Sequence, residues 1–226
     1  MSRTSLSLAG LALLAAAMPL SAAAQALLPS GWSLKLGLNQ IAPQLGSGDL
    51  SAPSLPGTQV DVRANTQPIF TLTVPLGEHF TVEAFGGLPY THDIVGDGAI
   101  AGSGKIGSTK QVSPTVFGQY RFAAVGSSVR PYLGLGLTYA KFYGEEGSGA
   151  LTAMTNAGGP PTRLSIDAAW GLSAQLGVTL ALGERWFLDA ALVQTKLKTT
   201  THLSSGQQID TRLDPRSTAV AVGYRF

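Results

Sequence analysis

From Trp32 onward, large apolar residues recur at every second position in eight separate segments. The first stripe is Trp32, Leu34, Leu36 and Leu38, and the second runs from Pro68 through Phe70, Leu72 and Val74 to Leu76. Phe80, Val82, Ala84, Leu88 and Tyr90 make the third, and Val112, Pro114, Val116, Tyr120 and Phe122 the fourth. The fifth is Leu133, Leu135, Leu137, Tyr139 and Tyr143; the sixth is Trp170, Leu172, Ala174, Leu176, Val178, Leu180 and Leu182. Trp186, Leu188, Ala190 and Leu192 form the seventh, and Val220, Val222, Tyr224 and Phe226 end the chain. A period of two belongs to a strand with one apolar face, so the pattern predicts eight strands and almost no helix.

The connections alternate in length. Short ones at 75–79, 123–130 and 181–185 follow strands two, four and six; long ones, rich in Gly, Ser, Thr and Pro, occupy roughly 43–64, 91–111, 144–163 and 199–211. An even number of antiparallel strands then gathers both termini and every short turn at one end and all long loops at the other, the plan of an outer-membrane barrel. A soluble eight-stranded barrel would place its bulky residues inside. Here the positions between the bulky ones are Gly, Ala, Ser, Thr, Gln and a few charges, which suits a narrow lumen, while Leu-rich stripes tipped with aromatics suit lipid. The predicted fold is therefore an all-β, eight-stranded, antiparallel up-and-down transmembrane barrel with short periplasmic turns and four long extracellular loops. Its last strand must pair with its first to remove both edges, which explains why the chain ends on a large aromatic, Phe226, at the periplasmic interface.

The first residues add export. Arg3, the apolar run Leu6 to Leu20 and the small-residue stretch Ser21 to Ala24 have the order of a cleaved secretory signal, with cleavage expected after Ala24 or Ala26. Residues 1–24 are read as that signal and 25–226 as one barrel domain. Composition agrees: 44% of residues are hydrophobic and 12% charged, yet beyond the signal no stretch is apolar for long enough to cross a bilayer as a helix. The 28 glycines and 13 prolines suit strands, bulges and loops. Cysteine is absent, so no disulfide contributes to stability. Loss of Arg3 with the signal takes the net charge from +2 to +1, which leaves no basic field for nucleic acid.

The stretches PYTHDI, QVSPTVFGQYRF, RPYLGLGLTYAKFY, AWGLSAQLGV and RLDPRSTAVAVGYRF together resemble the OmpW family of outer-membrane proteins, from about Gly31 to Phe226. The resemblance implies an eight-stranded barrel in a Gram-negative outer membrane and the passage of small hydrophobic molecules. Some members serve as bacteriocin receptors. It also implies partners: outer-membrane lipids, small hydrophobic ligands, and the barrel-assembly machinery, reached through the closing strand that ends in Phe226.

Other chemistry is weakly supported. Gly102 to Gly107 reads G-x-G-x-x-G, but it falls in a predicted loop and has no acidic residue at the spacing a dinucleotide site requires. His79, His92 and His202 are too scattered for one metal site, and nothing calls for a cofactor. His92-Asp93 could start a hydrolytic constellation, but no serine is specifically placed beside it.

With strand directions set by the turns, Lys35, Glu83, Arg121, Asp189 and Arg225 all point inward near the periplasmic end. Buried charges need partners, so these five are expected to form a paired plug. Higher up, Ile41, Ile69, Phe85, Phe117, Phe142, Val193 and Leu197 face inward and describe an apolar cup open toward the loops. Pro68 and Pro114, lacking a ladder donor, are expected at bulges or distortions, where a ligand could leave sideways. The expected function is binding and passage of small hydrophobic molecules; the alternatives are a surface receptor or adhesion barrel, and a lipid-modifying hydrolase.

Overall fold

The computed structural model describes residues 30–226; the expected signal at 1–24 lies outside the described residues. In chain order the strands are β1 (Ser33–Ala42), β2 (Gly46–Ser47), β3 (Thr58–Val62), β4 (Asn65–Pro75) and β5 (Phe80–Gly87). Then come β6 (Tyr90–Gly98), β7 (Lys105–Val112), β8 (Thr115–Arg121), β9 (Val129–Gly147) and β10 (Leu164–Ile166). The last are β11 (Ala169–Ala181), β12 (Trp186–Lys196), β13 (Lys198–Leu203), β14 (Gln208–Arg212) and β15 (Arg216–Arg225). One short helix, α1 (Gly149–Thr155), lies between β9 and β10.

Eight strands close a barrel. The antiparallel ladder runs β11-β12-β15-β1-β4-β5-β8-β9, and β9 pairs back onto β11. The terminal strand does close on the first: Ser33 faces Arg225 and Ala42 faces Arg216, while Phe226 donates its N–H to Trp32 and accepts one from Gly31. Alternation sorts the two faces. Lys35, Asn39, Thr71, Thr73 and Glu83 are buried, whereas Leu36, Leu38, Phe70, Leu135 and Leu172 stand on the outside. Leu135 is 75% exposed, an arrangement that is favourable only against lipid. Aromatic rings cluster at both rims of this belt: Tyr139 with Trp170 at the loop end, and Phe80, Tyr120 and Phe122 with Trp186, Tyr224 and Phe226 at the turn end.

Inside, large rings are seated on glycines of the neighbouring strand. Tyr132 faces Gly177 and Phe117 faces Gly136. A Cβ on Gly177 would lie 2.2 Å from the Tyr132 ring, so the ring fits because nothing larger than hydrogen opposes it.

The long connections differ from the irregular loops expected. β6 and β7 form a hairpin that adds β3 on one side and pairs with the upper part of β9 on the other; β13 and β14 form a second hairpin between β10 and β2. These segments carry a second core above the barrel, with Ile94, Ile106, Leu151 and Leu203 buried against Leu50, Val60, Val62 and Leu164. Each contributes only one or two large apolar residues among Gly, Ser and Thr, too few to make a stripe in the sequence. Helix α1 starts where the Ser148 hydroxyl accepts the Leu151 N–H and delivers Leu151 into that core. The G-x-G-x-x-G stretch spans the end of the β6–β7 turn, with Gly102 and Gly104 at positive φ, and the first three residues of β7, Lys105 to Gly107.

The prolines are not at bulges. Pro68 lies inside β4 opposite Leu38, and Pro114 directly precedes β8. The register shifts fall instead at Ile94/Val95 and between Ser108 and Lys110. Pro68 does mark a boundary: the paired residues of the β4–β5 ladder end at Ile69–Gly87, and one further bond runs from the Leu88 N–H to the Pro68 carbonyl at 3.0 Å. A proline with no N–H fits where no partner strand requires one.

Candidate functional site

The lumen is built in layers. In the ion-paired layer, β1 supplies Lys35, β5 Glu83, β9 Tyr132 and β12 Asp189, so the cluster draws on strands all around the wall, while Arg130, buried nearer the turns, donates to the Ala123 and Glu78 carbonyls. Lys35 Nζ lies 2.6 Å from Glu83 Oε2 and 2.9 Å from Asp189 Oδ1. The Tyr132 hydroxyl donates to Asp189 at 3.0 Å, Thr179 donates to its other oxygen at 2.9 Å, and Thr73 donates to Glu83 at 3.0 Å. Burying such charges is tolerable only when each finds several partners, and these do.

Of the five charges expected to pair, three do so. Among the described residues Arg121 makes no ion pair; it donates to the Thr179 hydroxyl and the Gln119 side-chain oxygen Oε1, each at 3.0 Å, and lies 4.7 Å above the Tyr132 ring. Arg225 stays outside the cluster. It is only partly buried, 6.0 Å over Phe187 at the rim, because the last residue of the closing strand has lumen on one side and solvent beyond it. Tyr132, fully buried between Lys35 and Arg121, went unnoticed in the sequence although its parity opposite to Leu133 marks it as inward.

Beside the charges Gln119 Nε2 donates to Gln175 at 2.8 Å, Thr81 donates to Gln119 at 2.9 Å and Gln175 reaches Glu83 at 3.4 Å. Higher up, the hydroxyls of Thr115, Thr138, Ser173 and Thr195 form one row across β8, β9, β11 and β12, with spacings of 2.8, 2.6 and 2.8 Å. A hydroxyl both donates and accepts, so the row satisfies itself without water.

Apolar space begins here. A small cavity of about 40 Å³ is lined by Ile41, Phe85, Phe117, Val193 and Leu197 together with Asn39 and Tyr90. Over it, in the layer made by the long connections, lies a cavity of about 240 Å³. Ile41 and Phe142 reach its base, and Ile94, Ile106, Leu203 and Ile209 line its walls. Ile69 reaches neither cavity and packs lower down, on Tyr132, Ala191 and Ala219. Most of the larger cavity's wall was thus invisible at the sequence level, since it comes from segments with too few apolar residues to register as strands.

The histidines occupy three separate surroundings. His79 Nδ1 is 2.7 Å from the Arg121 carbonyl, and His202 Nε2 is 3.3 Å from the Asp167 carboxylate. His92 is buried, with Nδ1 3.0 Å from the Arg63 carbonyl, and burial pushes its pKa below the usual imidazole value despite the opposing pull of that hydrogen bond. Its neighbour Asp93 points the other way and pairs with Lys105 at 2.7 Å, so the two do not form a catalytic couple.

A barrel with a charged lower lumen, an apolar upper lumen and two aromatic rims can now be compared with known proteins. The OmpW family profile matches residues 31–226. The chain belongs to the OmpW family. It is accordingly a protein of the Gram-negative outer membrane, with its short turns periplasmic and its long connections extracellular. Among OmpW-family relatives, Outer membrane protein W of Vibrio cholerae serotype O1 is 34% identical over 173 residues, 75% of this chain and 77% of that one. The dibenzothiophene metabolism operon protein PahQ of Pseudomonas aeruginosa is 26% identical over 204 residues, 87% of this chain and 89% of that one. In fold, the crystal structure of the outer membrane protein OprG from Pseudomonas aeruginosa superposes with a TM-score of 0.78 at 24% identity, covering 87% of this chain and 96% of that one.

Proposed function

We propose that this barrel takes small hydrophobic molecules from the extracellular side into the 240 Å³ cavity and passes them across the outer leaflet, while the Lys35–Glu83–Asp189 layer closes the axial path to water and ions. The observation that carries the reading is the cavity itself. An apolar cavity of about 150 Å³ is enough to bind benzene, so this one suits a guest of one or two fused rings. The name of the relative from a dibenzothiophene metabolism operon, dibenzothiophene being a three-ring fused aromatic, supports an aromatic guest. Below the cavity the hydroxyl row, the glutamine pair and the ion pairs leave an apolar molecule no favourable route downward, because entry would part hydrogen-bonded and charged groups from their partners. The sideways route is better. The paired residues of the β4–β5 ladder end at Ile69–Gly87, with a single further bond from the Leu88 N–H to the Pro68 carbonyl, and Gly87, Leu88 and Tyr90 border the small cavity at that height.

Replacing Ile209 by Asp would put a carboxylate into the cavity wall, where it disfavours an apolar guest. In proteoliposomes or in cells lacking other carriers, Ile209→Asp is expected to abolish saturable uptake of a naphthalene-sized probe while the barrel keeps its heat-modifiable electrophoretic shift. Unchanged uptake by a folded Ile209→Asp variant would overturn the reading.

A further inference from the structure

The outer wall carries a cluster of cations that neither the lumen nor the passage of a ligand uses. Lys196 ends β12, Lys198 begins β13, Arg212 ends β14 and Arg216 begins β15, and all four side chains are exposed. They are neighbours through the sheets: Lys198 is directly opposite Arg212, and Arg216 is opposite Gln194, two residues below Lys196. Like charges placed opposite each other across a strand pair repel, so Lys198 and Arg212 cost stability where they stand. Compensation inside the protein is scant. Lys196 pairs with Asp214 at 2.8 Å, but among the described residues no ion pair reaches Lys198, Arg212 or Arg216. Four cations against Asp214 and the exposed Asp210, which accepts a hydrogen bond from Thr200, leave two positive charges uncompensated.

The height of the cluster identifies what would neutralise it. Lys196 is paired across the wall with Leu172, which is 69% exposed and faces lipid, and Trp170 of the loop-end aromatic rim is one pleat further out. On the adjacent strands Leu192 and Val220 continue the apolar belt beneath Gln194 and Arg216. The cations therefore stand at the edge where hydrocarbon gives way to headgroups. Two adjoining shallow depressions run over this edge and share Gly46 and Arg212; Lys196, Asp214 and Arg216 border one, and Lys198 and Asp210 the other.

We infer that this patch binds the phosphorylated headgroup of lipopolysaccharide, the glycolipid of the outer leaflet, with Arg212 and Arg216 as the phosphate forks and Lys196 and Lys198 as flanking point charges. Guanidinium groups match phosphate geometry in pairs of hydrogen bonds, and the apolar belt directly below accommodates the acyl chains. The site faces away from the lumen, so it is independent of the proposed passage of hydrophobic molecules.

The test is equilibrium binding of bisphosphorylated lipid A to the refolded full chain in neutral detergent. The triple variant Lys198→Gln, Arg212→Gln, Arg216→Gln is expected to bind at least about ten-fold more weakly, as loss of charge-assisted hydrogen bonds implies. Lys141→Gln, on β9 on a different part of the wall, is expected to bind as the parent does. Lipid A stripped of both phosphates should bind the parent as weakly as intact lipid A binds the triple variant, and raised salt should weaken the parent's binding. Equal binding by parent and triple variant, equal binding of dephosphorylated lipid A, or displacement by inorganic phosphate at the same concentration would each overturn the assignment. If the triple variant does not refold, Arg216→Gln and Lys198→Gln are read singly, each expected to weaken binding by about three-fold or more; no loss in either would count against it equally.

Discussion

At the scale of single residues the lumen follows from parity and partnership. Lys35, Glu83 and Asp189 could be assigned inward because each falls between members of an outward apolar stripe, and a buried charge in a narrow barrel must find its opposite. Arg225 obeyed the same parity, but parity carries no information on depth, and a residue at the rim can satisfy its charge in solvent. Tyr132 has the inward parity as well, opposite to Leu133, but the sequence does not show that Gly177 lies across from it and leaves room for its ring. Lys35 is the residue on which this layer depends, since it alone contacts both carboxylates. Lys35→Met would leave Glu83 and Asp189 facing each other without their shared cation, and removing one member of a buried pair typically costs about 3–5 kcal/mol. Asp189→Asn keeps the Lys35–Glu83 contact and the hydrogen-bonding shape. Urea unfolding in lipid vesicles is therefore expected to show a larger loss for Lys35→Met than for Asp189→Asn; the reverse order would mean that Tyr132 and Thr179, not Lys35, hold this layer together.

At the scale of elements, the eight barrel strands were legible because each has a lipid-facing side long enough to repeat its period, and the three short turns because nothing but a tight connection fits between such strands. The extracellular hairpins were not. β6 places His92 and Ile94 inward between polar neighbours, and a histidine does not count as apolar in any periodicity even when the fold buries it. That burial has a consequence for acid stability. The folded protein holds the His92 pKa below the ordinary imidazole value, so at pH below about 6.5 the unfolded segment takes up a proton that the folded one refuses. Stability contributed by neutral His92 is thus fully present above that pH and declines as the pH falls through it. Amide exchange in β6 and β7, corrected for intrinsic rates, is expected to accelerate between pH 7.5 and 5.5, and His92→Gln, which can still donate to the Arg63 carbonyl, is expected to remove most of that pH dependence. Equal acceleration in the variant would transfer the effect to another group.

At the scale of the whole molecule, one chain builds three environments in sequence along the barrel axis: ion pairs flanked by the Gln119–Gln175 pair toward the periplasmic end, a self-satisfied hydroxyl row above them, and an apolar cavity enclosed by the extracellular hairpins. The order matters more than any single layer. A barrel of eight strands has just enough interior for side chains to fill, so a path for ions would have to come from removing side chains and not from moving them. Lys35, Glu83 and Asp189 replaced together by Ala would delete the charged layer without leaving an unpaired carboxylate behind, while Arg121 keeps its contacts with Thr179 and Gln119. If that layer is what closes the axis, planar-bilayer recordings should show little small-ion conductance for the parent and a clear rise for the triple Ala variant, with a preference for anions from the remaining Arg121. A folded triple variant that stays closed would move the barrier to the Gln119–Gln175 pair and the hydroxyl row and leave the apolar cavity with a floor of neutral polar groups. A parent that already conducts as a water-filled channel would remove the floor altogether, and with it the reason for an apolar guest to leave through the wall beside Pro68 and not along the axis.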